Sequence, residues 1–136
     1  MTGPGRCDWE MRTTLPATLA AAEALFAEFR RRSERMGTSS TRFAAELALR
    51  EAVTNAVVHG CQEDPAKRVH CVLRWRGRCL TIAVRDDGAG FDWRGAWGRE
   101  AENSACSGRG MAILRKYVNR TRFNDRGNAV TMIKRF

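Results

Sequence analysis

Two runs of alternating residues set the tightest limit on what this chain can fold into. Val69, Cys71, Leu73 and Trp75 alternate with His70, Val72, Arg74 and Arg76, and Leu80, Ile82 and Val84 alternate again beyond Gly77. Successive side chains of a strand point to opposite faces, so a two-residue period marks each run as a strand. Gly77 permits a tight reversal, and the pair predicts an antiparallel hairpin. A second hairpin is expected over Arg120–Asn124 and Ala129–Phe136, around the turn Asp125-Arg126-Gly127-Asn128. Trp9–Thr14 suits a further short strand.

Between these strands the spacing turns helical. Pro16 suits a first helical turn, where its missing N–H would have no partner anyway. Leu19, Ala22, Phe26 and Phe29, with Leu25 beside them, then predict a helix that stops near Met36-Gly37. A second helix is expected after the capping cluster Ser39-Ser40-Thr41, running through Phe43, Leu47, Val53 and Val57 to His59-Gly60. Gln62–Lys67 reads as a polar loop, and a third helix is expected over Met111–Val118. Phe91–Cys106 has no clear period, and an unpatterned segment of that length suits a functional lid. With no repeat and no linker, the expectation is a flexible lead over residues 1–8 and one domain over 9–136. Helices segregated from hairpins predict an α+β two-layer sandwich, its helices on one face of a mixed, mainly antiparallel sheet.

Hydrophobic residues make up 43% of the chain and charged residues 29%, a balance that folds rather than stays disordered. The formal charge of +9 favours acidic partners, among them nucleic acid, anionic lipid, nucleotide phosphates and acidic proteins. An Arg-rich proteome would give the same excess. The cations are scattered, as in Arg30-Arg31-Arg32, Arg74 to Arg78 and Arg115-Lys116, and no aromatic-basic stacking motif accompanies them. Direct nucleic-acid binding is therefore not expected. The five cysteines lack zinc-site or redox spacing and suit small apolar roles in a reducing cytosol. No apolar signal region or membrane-length run is present, so a cytoplasmic protein without membrane contact is expected.

Three polar islands interrupt these patterns. In EAVTNAVVHG, Glu51, Asn55 and His59 stand four apart on one helical face. An Asn amide oxygen suits a hard cation such as Mg²⁺ shared with phosphates, and a Glu one turn away can take a proton from a hydroxyl. A hydrogen-bonding Asn beside a surface Glu would look the same, and His59 also suits a helix C-terminus. The second island, Asp86-Asp87-Gly88-Ala89-Gly90, ends a strand. The Asp86 carboxylate can accept a hydrogen bond from a ligand amine, and Asp87 is expected to be merely solvated. Asp-Gly is equally ordinary turn chemistry. The third, Ser107-Gly108-Arg109-Gly110, opens a helix, where free N–H groups suit phosphate, although such turns are common.

The order of the three islands, E-x-x-x-N-A on a helix, D-x-G-x-G after a strand and G-x-G at a helix start, resembles the motifs of the GHKL (Bergerat-fold) ATPases. These include gyrase-type ATPases, histidine kinases and MutL. The resemblance runs from about Trp9 to Phe136, and EAVTNAVVHG, VRDDGAGFD and SGRGMAIL are most similar to the bacterial anti-sigma factor serine/threonine kinases. It implies ATP and Mg²⁺ as cofactors. Asn55 matches the Mg²⁺ ligand, Glu51 the general base, and Asp86 the acceptor of the adenine amino group. Gly88 and Gly90 match the pocket turn, Ser107, Gly108, Arg109 and Gly110 the phosphate-binding turn, and Phe91–Cys106 the ATP lid. It also implies a homodimer that phosphorylates an anti-anti-sigma (STAS-type) protein and sequesters a sigma factor. Two positions depart from the pattern: Cys106 stands where relatives often carry Arg, and Gly127-Asn128-Ala129-Val130 lacks a Thr that Thr131 does not clearly replace. They keep open a second expectation, an ATP-binding regulatory module that switches partners by affinity alone.

Overall fold

The hairpin predicted from the alternating runs is the centre of the structure, a computed structural model that describes residues 8–90 and 116–136. In chain order it contains β1 (Trp9–Pro16), α1 (Leu19–Arg32), α2 (Ser39–Asn55), a π-helical turn (Ala56–Gly60), β2 (Arg68–Arg76), β3 (Cys79–Asp86), β4 (Arg120–Phe123) and β5 (Ala129–Arg135). The strands form one sheet in the order β1-β2-β3-β5-β4. Among the described residues all four pairings are antiparallel, so the mixed sheet expected from sequence is here antiparallel throughout. The expected lead up to residue 7, the lid over Phe91–Cys106, the phosphate turn Ser107–Gly110 and most of the third helix lie outside the described residues. Lys116 and Tyr117 are helical.

Both helices lie on one face of the sheet, and the core fills the space between the layers. Phe29 from α1, Leu49 and Val53 from α2, and Leu73, Leu80, Ile82 and Met132 from the sheet are fully buried there. Cys61 and Cys71 are buried as well, in keeping with their expected apolar role. Burial pushes the Cys71 thiol up to about 12, which leaves it inert near neutral pH. On the outer side of the two helices, Arg30 donates two hydrogen bonds to Glu46, at 2.9 and 2.6 Å, and so ties α1 to α2.

Several boundaries differ from the sequence pattern. Pro16 closes β1 opposite Arg68 rather than opening α1; an edge strand tolerates a residue that lacks an N–H. The cap of α1 is Thr18, whose Oγ1 accepts from Ala21 N at 3.1 Å. The helix stops at Arg32, where three consecutive arginines meet the negative end of its dipole. α2 is capped by Thr38, not by the serines after it, and Thr41 closes a reciprocal capping box. Phe43, expected on the core stripe, is 64% exposed. The buried stripe of α2 is Ala45, Ala48, Leu49, Ala52 and Val53, mostly small side chains that let the helix sit close to the sheet.

Strand register gathers the scattered cations. Residues paired across antiparallel strands share a face, and that rule sends Arg12, Arg74, Arg85, Arg120, Arg122 and Arg135 to the side away from the helices. The difference between the two phenylalanines can be measured by chemical denaturation. Phe29→Ala should cost about 3–5 kcal/mol, whereas Phe43→Ser should stay within about 0.5 kcal/mol of the parent.

Candidate functional site

The site forms where α2, the end of β3 and the β4–β5 turn meet. After Asn55 the helix widens into a π turn, closed by Cys61 N donating to Ala56 O at 2.8 Å. Such turns insert a residue into the helical register and often mark functional positions. Here the extra width carries the Gly60 backbone over Asp86. A Cβ at Gly60 would lie 2.4 Å from Asp86 Oδ2, and one at Gly88 would lie 1.8 Å from the Gly60 carbonyl oxygen. No side chain fits in either gap. Gly90, at φ +94°, rests against the Arg126 carbonyl on the other side.

Asp86 is 5% exposed and faces the helices from the last position of β3. Its Oδ1 accepts a hydrogen bond from Gly88 N at 2.7 Å. Its backbone is clamped by Asn128: Asp86 N donates to Asn128 O at 2.8 Å, and Asn128 Nδ2 donates to Asp86 O at 3.0 Å. Among the described residues Oδ2 has no hydrogen-bond partner. Burial pushes the carboxyl above its ordinary pKa. The Gly88 N–H opposes that rise, the Asp87 charge adds to it, and Arg126 and Arg85 oppose it more weakly.

Around this carboxylate lies an open-mouthed cleft. Ala52, Asn55 and Ala56 form one wall, Val84 and Val130 the sheet side, and Phe123 with Gly127–Ala129 the far side. Mainly apolar walls with the Asp86 carboxylate among few polar groups suit a flat heteroaromatic ring that bears an amine. The structure thus brings Asn55, Asp86 and the flanking glycines together. Glu51 sits one turn back from Asn55, half-buried, and His59 is exposed beyond the π turn. Burial raises the Glu51 pKa, and the nearby His59 opposes that rise. Ser107, Gly108, Arg109 and Gly110 lie outside the described residues.

One expectation is corrected. Asp87 is not merely solvated: Oδ1 hydrogen-bonds His70 Nε2 at 3.1 Å, and Oδ2 accepts from Arg68 N at 3.2 Å. The hydrogen bond to His70 is the largest cause of its lowered pKa. Strand alternation explains the split, because neighbouring aspartates at a strand end point to opposite faces. Thr131 does not line the cleft, since it pairs with Ala83 and Arg122 on the opposite face. Sequence reasoning also missed Gly60, Asn128 and Phe123. Gly60 reads as a helix stop and Asn128 as a turn residue, and no local signal reveals that either one abuts Asp86.

The donor set fits Mg²⁺ only in company. Among the described residues no three His, Cys, Asp or Glu side chains cluster to hold a metal. Asn55 offers one amide oxygen, so phosphate and water oxygens would have to complete the shell, as Mg²⁺ commonly accepts.

Residues 13–134 match the family model described as a histidine kinase-like ATPase domain. The chain belongs to that family. A 41-residue segment is 42% identical to the Anti-sigma F factor of Shouchella clausii (strain KSM-K16), covering 30% of this chain and 28% of that protein. The aligned segment thus spans well under a third of the relative. Family membership agrees with the two-layer α+β architecture and implies ATP as the ligand. No helix among the described residues is long and apolar enough to cross a membrane.

Asp86→Asn should separate binding from folding. A carboxyl whose pKa is raised by folding contributes stability below its unfolded pKa and loses it as pH rises through the folded value. At neutral pH the ionised Asp86 therefore costs stability, and an Asn that still accepts from Gly88 N removes that cost. The variant should melt no lower than the parent at neutral pH, yet bind ATP about tenfold or more weakly by calorimetry.

Proposed function

We propose that the protein is a single ATP-binding domain over residues 9–136 that transfers the γ-phosphoryl group of ATP to a serine or threonine of an anti-anti-sigma (STAS-type) protein and, in its complementary state, sequesters a sigma factor. The reading includes a cytoplasmic homodimer. The observation that carries it is the buried Asp86, one oxygen of which has no partner among the described residues, at the bottom of an apolar cleft edged by Asn55. The similarity to an anti-sigma F factor supports the partner class.

In this reading the adenine ring lies between the Ala52–Ala56 wall and Phe123, and its amino group donates to Asp86 Oδ2. The glycines keep the backbone close enough for the ring to reach the carboxylate. Ser107, Gly108, Arg109 and Gly110 supply N–H groups and charge to the phosphates. Asn55 would hold Mg²⁺, which when bound neutralises phosphate charge. Glu51 accepts the proton of the substrate hydroxyl as that oxygen bonds to the γ-phosphorus. The bond from the γ-phosphorus to the β–γ bridging oxygen breaks, and ADP leaves. A carboxylate with a raised pKa is a stronger base than an ordinary Glu, which suits that task.

Cys106 favours a second reading, nucleotide-gated partner switching without turnover, because it leaves the phosphate turn one guanidinium short of the family pattern. Incubation with ATP, Mg²⁺ and the cognate antagonist, read by phosphoamino-acid analysis, decides between them. The first reading expects phosphoserine or phosphothreonine. It expects Glu51→Gln to slow the transfer about 10²-fold or more with ATP affinity retained. The wild-type rate should also fall as pH drops through the raised Glu51 pKa, because only the ionised form accepts a proton. Equal rates for the wild type and Glu51→Gln would remove Glu51 from the mechanism, and an absence of phosphate transfer would favour the second reading.

A further inference from the structure

The ATP cleft uses only the helix side of the sheet. On the other side one row of directly paired residues runs Arg12, Val72, Ala83, Thr131, Arg122 from edge to edge. Arginines stand at both rims, with small, mostly apolar side chains between them. The neighbouring row runs Glu10, Arg74, Thr81, Ile133, Arg120, so it ends in an arginine on β4 and in a glutamate on β1. Four strand spacings of about 4.8 Å separate the rims by about 19 Å, enough for a helix about 10–12 Å across. Glu10 on this face is already paired with Arg12 and Arg74, at 2.7 and 2.9 Å. Arg120 and Arg122 have no ion-pair partner among the described residues.

The geometry points to this face as the docking surface for an acidic amphipathic helix of another protein. The apolar side of that helix rests on Val72, Ala83 and Ile133, and its carboxylates meet Arg120 and Arg122 on the β4 rim. An apolar centre within a charged rim is the anatomy of a protein interface, and Arg is enriched in such surfaces. A second copy of the chain fits poorly, because face-to-face packing sets arginine against arginine. Nucleic acid fits poorly as well. No Trp, Tyr or Phe stands at an outward position of the five strands to stack a base, and a phosphate backbone would leave the apolar floor unused. The inference is independent of the phosphotransfer reading, since the two surfaces lie on opposite sides of the sheet.

Fluorescence anisotropy with a labelled synthetic amphipathic helix, Leu on one face and Glu on the other, tests it on the full chain. The peptide should bind the wild type and release with rising salt. Arg120→Ser combined with Arg122→Ser should weaken binding about tenfold, and Ile133→Thr should weaken it separately. Both variants should keep ATP affinity and the far-UV circular dichroism of the parent. Unchanged peptide binding in the double variant would overturn the proposal. So would single-stranded or duplex oligonucleotides that bind more tightly than the peptide and are indifferent to Ile133→Thr. Sedimentation showing a dimer that the double variant loses would assign the face to self-association instead, and would also overturn it.

Discussion

The contact on which the site depends is the passage of one backbone over another at Gly60 and Gly88. The Gly60 carbonyl sits where a Gly88 side chain would begin, and Asp86 lies directly beneath. That approach is possible because α2 ends in a π turn and because the buried stripe of the helix is largely alanine. Each of these features brings the second layer nearer to the sheet. The result is a carboxylate shielded from water with one oxygen satisfied by Gly88 N and the other turned to a cleft. Burying an ionised group in this way costs free energy, which is why its pKa rises. A ligand amine that donates to the second oxygen would recover part of that cost, so the burial of Asp86 and the selectivity of the site have a common origin.

β3 divides the labour of the molecule. Its alternation sends Val84 and Asp86 to the helix side and Arg85 and Asp87 to the open side. Asp86 meets the cleft, whereas Asp87 joins His70 and the backbone of Arg68. The same two-residue period fixes the hairpin, forms one wall of the nucleotide cleft and turns the strand arginines to the opposite face. Two surfaces of different chemistry thus share one sheet about a strand's thickness apart. One suits a planar amine-bearing ring, and the other a partner of opposite charge.

What the sequence made legible follows from the range of each signal. The β2–β3 hairpin could be read because its period is local and its turn is short. Asp86, Gly88 and Asn55 could be singled out because polar and glycine islands stand out against apolar runs. Phe43 was misplaced because a helical stripe of mixed large and small residues fits two faces, and only packing shows that the alanines take the inner one. The roles of Gly60 and Asn128 were hidden because they arise from contacts between segments far apart in the chain. The charge of the open face was hidden for the same reason: arginines on five strands converge only once the register is known.

The central claim is that Asp86 Oδ2 reads an amine on a buried ring. It is tested most directly by comparing the affinity of the wild-type protein for ATP with its affinity for the triphosphate of purine riboside, which lacks only the 6-amino group. Titration calorimetry at matched Mg²⁺ should find the analogue about tenfold or more weaker, because the buried oxygen is then left without a donor. Equal affinity for the two nucleotides would contradict the account.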